Sequence, residues 1–403
     1  MKIALMSIQY GSHQGGSHTY ERSILTAAAS TIGQTDEDTV VVVAPTSPPH
    51  WWPKESCVCW IWPPTTIAHK ILAIPFALRQ YLLGRSAVQA MRDAHGRHIN
   101  RCLRQYQVDM VWQISPGYPP LDVPYIATLW DLQHREQPWF PETSSGNEWW
   151  NREEYYAEWL GRAMRIIVPN SVARTEVERA YGISSDRIVE IAQPVDPFND
   201  VAAERSQTAA AEHGYQLLYP AQFWPHKNHV CLLEALRELR LHHDHRWRLV
   251  FTGSDKGTAA HVRSESQRMG VADAVDFRGF VGREALVELY RESFAMLFPS
   301  FFGPENLPPL EAMSFGCPVV AAAVPGAREQ FGEACLLFDP LDPGALASTV
   351  AKLKAEPELR GLIVAKGLKL AATRSAASVV ERAIAVAVAC KGFRHAWPGS
   401  WSR

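Results

Sequence analysis

Three stretches of the sequence combine glycine, proline and asparagine with a few charged side chains, the make-up of loops that hold phosphorylated ligands. The first is Gln9-Tyr10-Gly11-Ser12-His13-Gln14-Gly15-Gly16-Ser17-His18, between an apolar run and a helical pattern. Gly15 and Gly16 let backbone approach a ligand at a helix start, where amides without intrahelical partners favour anions. By itself this stretch reads equally well as a plain strand-to-helix turn. The second is Pro220-Ala221-Gln222-Phe223-Trp224-Pro225-His226-Lys227-Asn228. Asn228 suits an N-cap for a helix from His229, and Lys227 puts an ammonium beside that helix start. A flexible cation next to unpaired amides suits a phosphate, although out of context it is also an ordinary solvated lysine. The third runs from Phe298 to Met313, FPSFFGPENLPPLEAM. A strand ends at Phe298, and Pro308 or Pro309 fits the first turn of a new helix. Backbone amides around Asn306 and Leu307 are candidates for a diphosphate, and Glu311, one turn inside, for the two hydroxyls of a ribose.

Elements must place these loops. Short continuous apolar runs predict strands at Ile3–Ile8, Thr39–Ala44, Met110–Gln113, Tyr125–Leu129 and Ile166–Val168. A second set lies at Leu217–Tyr219, Leu249–Thr252, Val275–Phe277, Ala295–Phe298, Pro318–Ala322 and Cys335–Phe338. Helical patterns such as His229–Leu241, Arg283–Ser293 and Pro308–Phe315 lie between them. Runs of this kind suit parallel strands covered on both faces, and the alternation predicts doubly wound α/β sheets. The alternation pauses at Gln193–Gly214, a polar stretch that reads as a linker. Two Rossmann-like domains are therefore expected, residues 1–196 and 197–384, with a C-terminal helix, 385–403, packing back on the first. Ligands of such sheets sit at the carboxyl ends of strands, which makes a cleft between two facing domains the expected active site.

Lys227 in its loop, the PSFFGPENLPPLEAMSFGCPVVAA segment and the following VPGAREQFGEACLLFDPLDPGALA together resemble the donor domain of retaining GT-B glycosyltransferases, glycosyltransferase family 4. The first half resembles the family more loosely, through Gly15-Gly16, Ile166-Ile167-Val168-Pro169-Asn170-Ser171 and Gln193-Pro194-Val195-Asp196. The resemblance implies transfer of a sugar from a GDP- or UDP-linked donor to an acceptor hydroxyl with retention, without metal or other cofactor. Helix N-termini and cationic side chains would neutralise the leaving diphosphate. It implies donor binding by Gly15, Gly16, Gln222, Lys227, Gly253, Phe280, Gly303, Pro304, Asn306, Leu307 and Glu311. It implies catalytic roles for Lys227 and Glu305, with Asp131 or His134 of Trp130-Asp131-Leu132-Gln133-His134 orienting the acceptor. Two departures stand out. The family has a glutamate eight positions before Glu311, where this chain has Gly303, and Glu305 is offset by two. The arginine expected five residues before the lysine is Gln222. The FGPENLPPLEA form is similar to bacterial polysaccharide mannosyltransferases of the family, which makes mannose the expected sugar.

Composition narrows the partners. Forty basic and 42 acidic residues give a formal charge of −2 over 403 residues, so no whole-molecule attraction to nucleic acid is expected. Seven scattered cysteines imply no disulfide framework, and Cys57-Val-Cys59 reads as alternate positions on one strand. With no apolar stretch long enough to span a bilayer and no signal-peptide pattern, a cytoplasmic protein is expected. Asp36-Glu37-Asp38 reads as a solvated turn, and His242-His243-Asp244-His245 as a polar connection. Ten of the 14 tryptophans fall in the first 160 positions. The expected acceptor side is thus rich in flat apolar rings that suit a glycan or lipid-linked glycan. The Trp-rich stretch from His50 to Pro64 and the helix pattern Ile67–Gly84, flanked by Lys70, Arg79 and Arg85, read either as a buried kinked helix or as a peripheral contact with the inner face of a membrane. Two other functions share this architecture: a nucleotide-sugar 2-epimerase and a non-catalytic sugar-binding protein. The epimerase needs acid and base groups that the sequence does not place, and the binding protein leaves the phosphate loop unexplained.

Overall fold

A computed structural model describes residues 1–9, 15–31, 39–45, 47–52, 58–61, 90, 93–118, 121–195, 214–394 and 396. The expected readings of Asp36–Asp38, Cys57, Ile67–Gly84 and most of the linker lie outside the described residues. The chain forms two compact units. One comprises Met1–Leu132, Gly146–Ala192 and Ala376–Arg403, and the other Gln133–Ser145 and Gln193–Ser375. These bounds differ from those expected of the linker. The chain leaves the first unit at Ala192, returns at Ala376, and makes a short excursion, Gln133–Ser145, that packs with the second. A polar run marks a connection, but only long-range contacts reveal which unit a short segment joins.

Among its described residues the first unit holds seven parallel strands. They are β1 (Lys2–Met6), β2 (Thr39–Val43), β3 (Cys59–Ile61), β4 (Met110–Gln113), β5 (Tyr125–Thr128), β6 (Arg165–Val168) and β7 (Ile188–Glu190), in the order β3-β2-β1-β4-β5-β6-β7. β7 has no sequence signal, and β3 has only the strand reading of Cys59. Both are edge strands of three residues, too short to show an apolar run. Trp60, Trp112 and Trp159 are buried here, and the Trp112 indole donates to Thr128 Oγ1 at 2.9 Å. Part of the tryptophan excess is therefore core. Trp139 and Trp150 are 68% and 60% exposed, and Trp139 belongs to the excursion of the second unit.

Among its described residues the second unit holds six parallel strands. They are β8 (Gln216–Pro220), β9 (Arg248–Thr252), β10 (Val275–Phe277), β11 (Ala295–Phe298), β12 (Val319–Ala322) and β13 (Leu336–Phe338), in the order β10-β9-β8-β11-β12-β13. Leu218 lies opposite Val250 on one side and Met296 on the other, and all three are buried. Both sheets are doubly wound and reverse their strand order once, between β1 and β4 and between β8 and β11. Ligands of such sheets bind outside the carboxyl ends of the strands that flank this switch. In the second unit those ends open into Ala221–Asn228 and Pro299–Asn306, two of the three loops singled out above.

Candidate active site

Lys227 ends a single 3-10 turn, Pro225–Lys227, which proline starts without losing a needed donor. Its peptide groups are tied on every side. The Lys227 N–H donates to the Trp224 carbonyl at 3.0 Å, the Tyr219 hydroxyl donates to the Lys227 carbonyl at 2.8 Å, and the Phe301 N–H donates to the His226 carbonyl at 2.9 Å. The Lys227 ammonium stands 5.3 Å from the centre of the Phe298 ring. Asn228 precedes the helix His229–His242 as expected, but its side chain does not cap it. At φ +56° it turns away and donates to the carbonyls of Pro299 (3.2 Å) and Pro340 (3.0 Å). Asn228 thus fastens the Lys227 turn to the loops after β11 and β13.

The loop after β11 explains why no glutamate stands at 303. Gly303 has φ +139°, and a Cβ there would fall 2.3 Å from the Asn306 side-chain oxygen. Asn306 Nδ2 donates back to the Gly303 carbonyl at 3.0 Å. Gln330 then grips Asn306 from both directions: it accepts from the Asn306 N–H at 3.0 Å and donates to the Asn306 carbonyl at 2.7 Å. That corrects one expectation, since the Asn306 amide is already engaged and is not open to a diphosphate. The helix Leu307–Ser314 has prolines at its second and third positions, so of its first turn Leu307 is left as an amide donor. Pro304 is buried in the same turn.

Glu305 also differs from its expected place at the reacting sugar. Its side chain is 2% exposed, with Oε1 2.8 Å from Arg374 Nη1 and Oε2 accepting the Gln193 N–H at 2.7 Å. Burial pushes this carboxyl up, and Arg374 and the Gln193 amide pull it back only in part. Both oxygens face the ends of the unit's own chain. Glu311 is buried on the inner face of its helix, where the Tyr290 hydroxyl donates to Oε2 at 3.0 Å. That bond orients the Glu311 carboxylate.

Gln222 accepts from the Trp224 indole at 3.0 Å. Gly253, at φ +134°, follows β9 where a Cβ would fall 2.2 Å from the Ala221 carbonyl oxygen, so glycine is required for the two loops to pass. Phe280 is 55% exposed after β10. In the first unit Gly15 turns at φ +63° and its carbonyl accepts the Thr19 N–H at 3.1 Å, with Gly16 opening the helix Gly16–Thr31. Glu21 on that helix is buried and fixes the end of β1. It accepts the N–H groups of Ile8 and Gln9, each at 2.9 Å, and the Ser115 hydroxyl at 2.8 Å. Asp131 is half-buried within reach of the Arg152 charge, whereas His134 is fully buried in the second unit's excursion.

That excursion touches the Lys227 turn. Gln137 Nε2 donates to the Phe301 carbonyl at 2.9 Å, Phe140 stacks on Phe301 with ring centres 6.0 Å apart, and Glu142 Oε1 contacts both His226 Nδ1 and the His226 N–H, the latter at 3.2 Å. Glu142, His226, Tyr290, Gln330 and Arg374 were not identified from sequence. Of these, His226 alone carries a local signal, beside Lys227; the others lie between 21 and 84 residues from the residues they bond.

Residues 200–369 match the family described as Glycosyl transferases group 1. The chain is 28% identical over 303 residues to O-antigen chain mannosyltransferase B of Escherichia coli, an overlap of 73% of this chain and 77% of that protein. Other relatives, named D-inositol 3-phosphate glycosyltransferases, are spanned over about half their length. Sucrose-phosphate synthase from Thermosynechococcus elongatus shares the fold at a TM-score of 0.71 and 18% identity, covering 97% of this chain and 99% of that one. The Anabaena protein HepE, solved with UDP and glucose, shares it at 0.66 and 16%, covering 96% and 100%. The family match thus covers the second unit, with the Lys227 turn and the loop after β11 inside it, and the two parallel Rossmann-like sheets give the chain the GT-B fold of these neighbours.

Proposed function

We propose that the chain is a retaining hexosyltransferase that moves mannose from a nucleoside diphosphate sugar to a hydroxyl of a growing glycan or lipid-linked glycan. The observation that carries this reading is the Lys227 turn beside the Pro299–Asn306 loop at the switch point of the second sheet, within the residues that match the family. Mannose and a polysaccharide acceptor are supported by the name of the E. coli relative, and a nucleotide-linked donor by the HepE complex.

Lys227 supplies positive charge at the leaving diphosphate, in a turn that needs no rearrangement to present it. Glu311, oriented by Tyr290, holds the ribose hydroxyls. The acceptor oxygen bonds to C1 on the face from which the diphosphate departs. The C1–oxygen bond to the diphosphate breaks with its electron pair, and a diphosphate oxygen takes the acceptor proton. In this reading a side-chain cation fills the role that a divalent ion fills elsewhere.

The test is a panel of nucleotide sugars, GDP-mannose and UDP-glucose included, followed by release of the nucleoside diphosphate with and without chelator. Lys227→Ala should lower turnover by about two orders of magnitude or more, the scale for losing a charge contact to the transition state. Unchanged kcat on the sugar that wild type turns over would sink the assignment.

A further inference from the structure

The excursion Gln133–Ser145 contributes a charged contact to the turn that carries Lys227. Besides Asn228, the restraints on that turn include Trp224 on the Lys227 N–H, Tyr219 on the Lys227 carbonyl, Phe301 on the His226 carbonyl, and Glu142 on the His226 N–H and ring. Of these, the Glu142 contact alone comes from outside the residues that match the family. We propose that Glu142 and His226 form a carboxylate–imidazole pair that positions Lys227, making the excursion part of the donor site's machinery.

The pair is built as a fixed support. The Glu142 and His226 side chains are 5% and 11% exposed. A carboxylate can only accept, so the imidazole carries its proton on Nδ1, and that bond fixes both ring orientation and tautomer. Burial alone would raise the Glu142 carboxyl, but the His226 ring and amide hold it below the usual carboxylate range, which keeps the charge in place. Glu142 Oε2 is buried with no hydrogen-bond partner among the described residues. A half-satisfied carboxylate costs stability, and an apolar side chain would fill the same space at less cost. The excursion is itself braced. Thr143 Oγ1 donates to the carbonyls of Gln137 (3.0 Å) and Phe140 (2.9 Å), and Phe140 packs between the rings of Phe301 and His226. The support therefore runs from a braced segment, through one carboxylate and one imidazole, to the residue next to Lys227.

This inference rests on Lys227 acting at the leaving group, so Lys227→Ala is run beside it. The assay is release of nucleoside diphosphate from whichever of GDP-mannose or UDP-glucose the intact protein turns over. Binding of GDP or UDP alone and thermal unfolding are measured on the same samples. Glu142→Ala and His226→Ala should each lower kcat about tenfold or more while donor KM stays within about threefold, since misplacement of a catalytic group acts on the chemical step. His226→Asn keeps a donor near the Nδ1 position and should restore most of the rate. His226→Gln, which places its amide near Nε2, should not. In a Lys227→Ala background, His226→Ala should cost nothing further. Rescue by His226→Gln rather than His226→Asn would overturn the proposal in favour of a direct contact through Nε2, as would additive losses in the double variant. If Lys227→Ala is silent, the functional reading fails. If Lys227→Ala is inactive while folded Glu142→Gln and His226→Ala keep wild-type kcat, the reading stands and this inference falls.

Discussion

His229 is the buried counterpart of Lys227, one residue beyond Asn228. It is 2% exposed and lies flat on Phe223 with ring centres 4.3 Å apart. Burial drives its pKa down to about 3, with Lys227 and His226 adding to the fall against a bond to the Ala221 backbone. An unfolded histidine takes its proton near pH 6.5, whereas the native one stays neutral until about pH 3. The stability this group contributes is therefore present above 6.5 and is lost as pH falls toward 3, by about 1.4 kcal/mol per unit. His229→Phe should flatten that slope by one proton in urea titrations between pH 6 and 4; parallel slopes would show that His229 titrates normally. At Glu311 the expected effect is on binding. Tyr290→Phe should raise donor KM by about three- to tenfold with kcat retained, and Glu311→Ala should raise it further, in keeping with loss of charged hydrogen bonds. Lys227 and Glu311 stand out in the sequence as candidates because each is a charged residue inside a Gly/Pro loop or an apolar helix start. Tyr290 and Gln330 do not, because each looks like an ordinary helix residue until the fold brings it to its partner.

The elements that present the site are two strand ends whose loops are sewn together. Asn228 joins the loop after β8 to those after β11 and β13, and the hydrogen bond from the Phe301 N–H to the His226 carbonyl joins the first two again. The loop after β9 passes so close to Ala221 that only Gly253 fits. Gly253→Ala should therefore cost about 2 kcal/mol or more, from a disfavoured φ together with a backbone clash. Gly257→Ala is the control. Its φ of +104° is also unfavourable, but a Cβ there meets nothing within 4 Å, so its cost should be smaller. Equal losses in denaturant titrations would mean that backbone conformation, rather than the close approach, explains Gly253. All eleven strands expected from sequence are present, and both parallel sheets follow from the same signal: apolar runs covered on two faces. β7 and β3, of which the sequence marked only Cys59, are edges, where one neighbour suffices and three residues are enough. The loops' positions were legible in the same way. Their internal bonding was not, since a proline–asparagine turn has the same composition whether its amide faces a ligand or, as in Asn306, a glutamine.

At the scale of the whole molecule, the second unit is entered and left by the chain within one small network. The Val195 N–H donates to the Arg374 carbonyl at 2.9 Å, and Glu305 holds the Gln193 N–H and the Arg374 guanidinium. The Arg374 side chain is 14% exposed and Glu305 2%, so the pair is largely out of water. Breaking one partner of such a pair strands a charge, whereas replacing both with apolar residues of similar size removes the desolvation penalty along with the attraction. Glu305→Leu and Arg374→Met should each destabilise the protein by about 3 kcal/mol, and the two together by clearly less than the single effects added. Denaturant titration of the four proteins gives the coupling, and simple additivity would mean that the two side chains do not depend on each other. Glu305→Gln decides what Glu305 does. A fastening role places its loss in stability, with kcat on the donor close to wild type once the variant is folded. If Glu305→Gln instead abolishes kcat at unchanged stability, its carboxylate acts on the sugar, as its position two residues from the missing glutamate first suggested, and the tie to Arg374 is released during turnover.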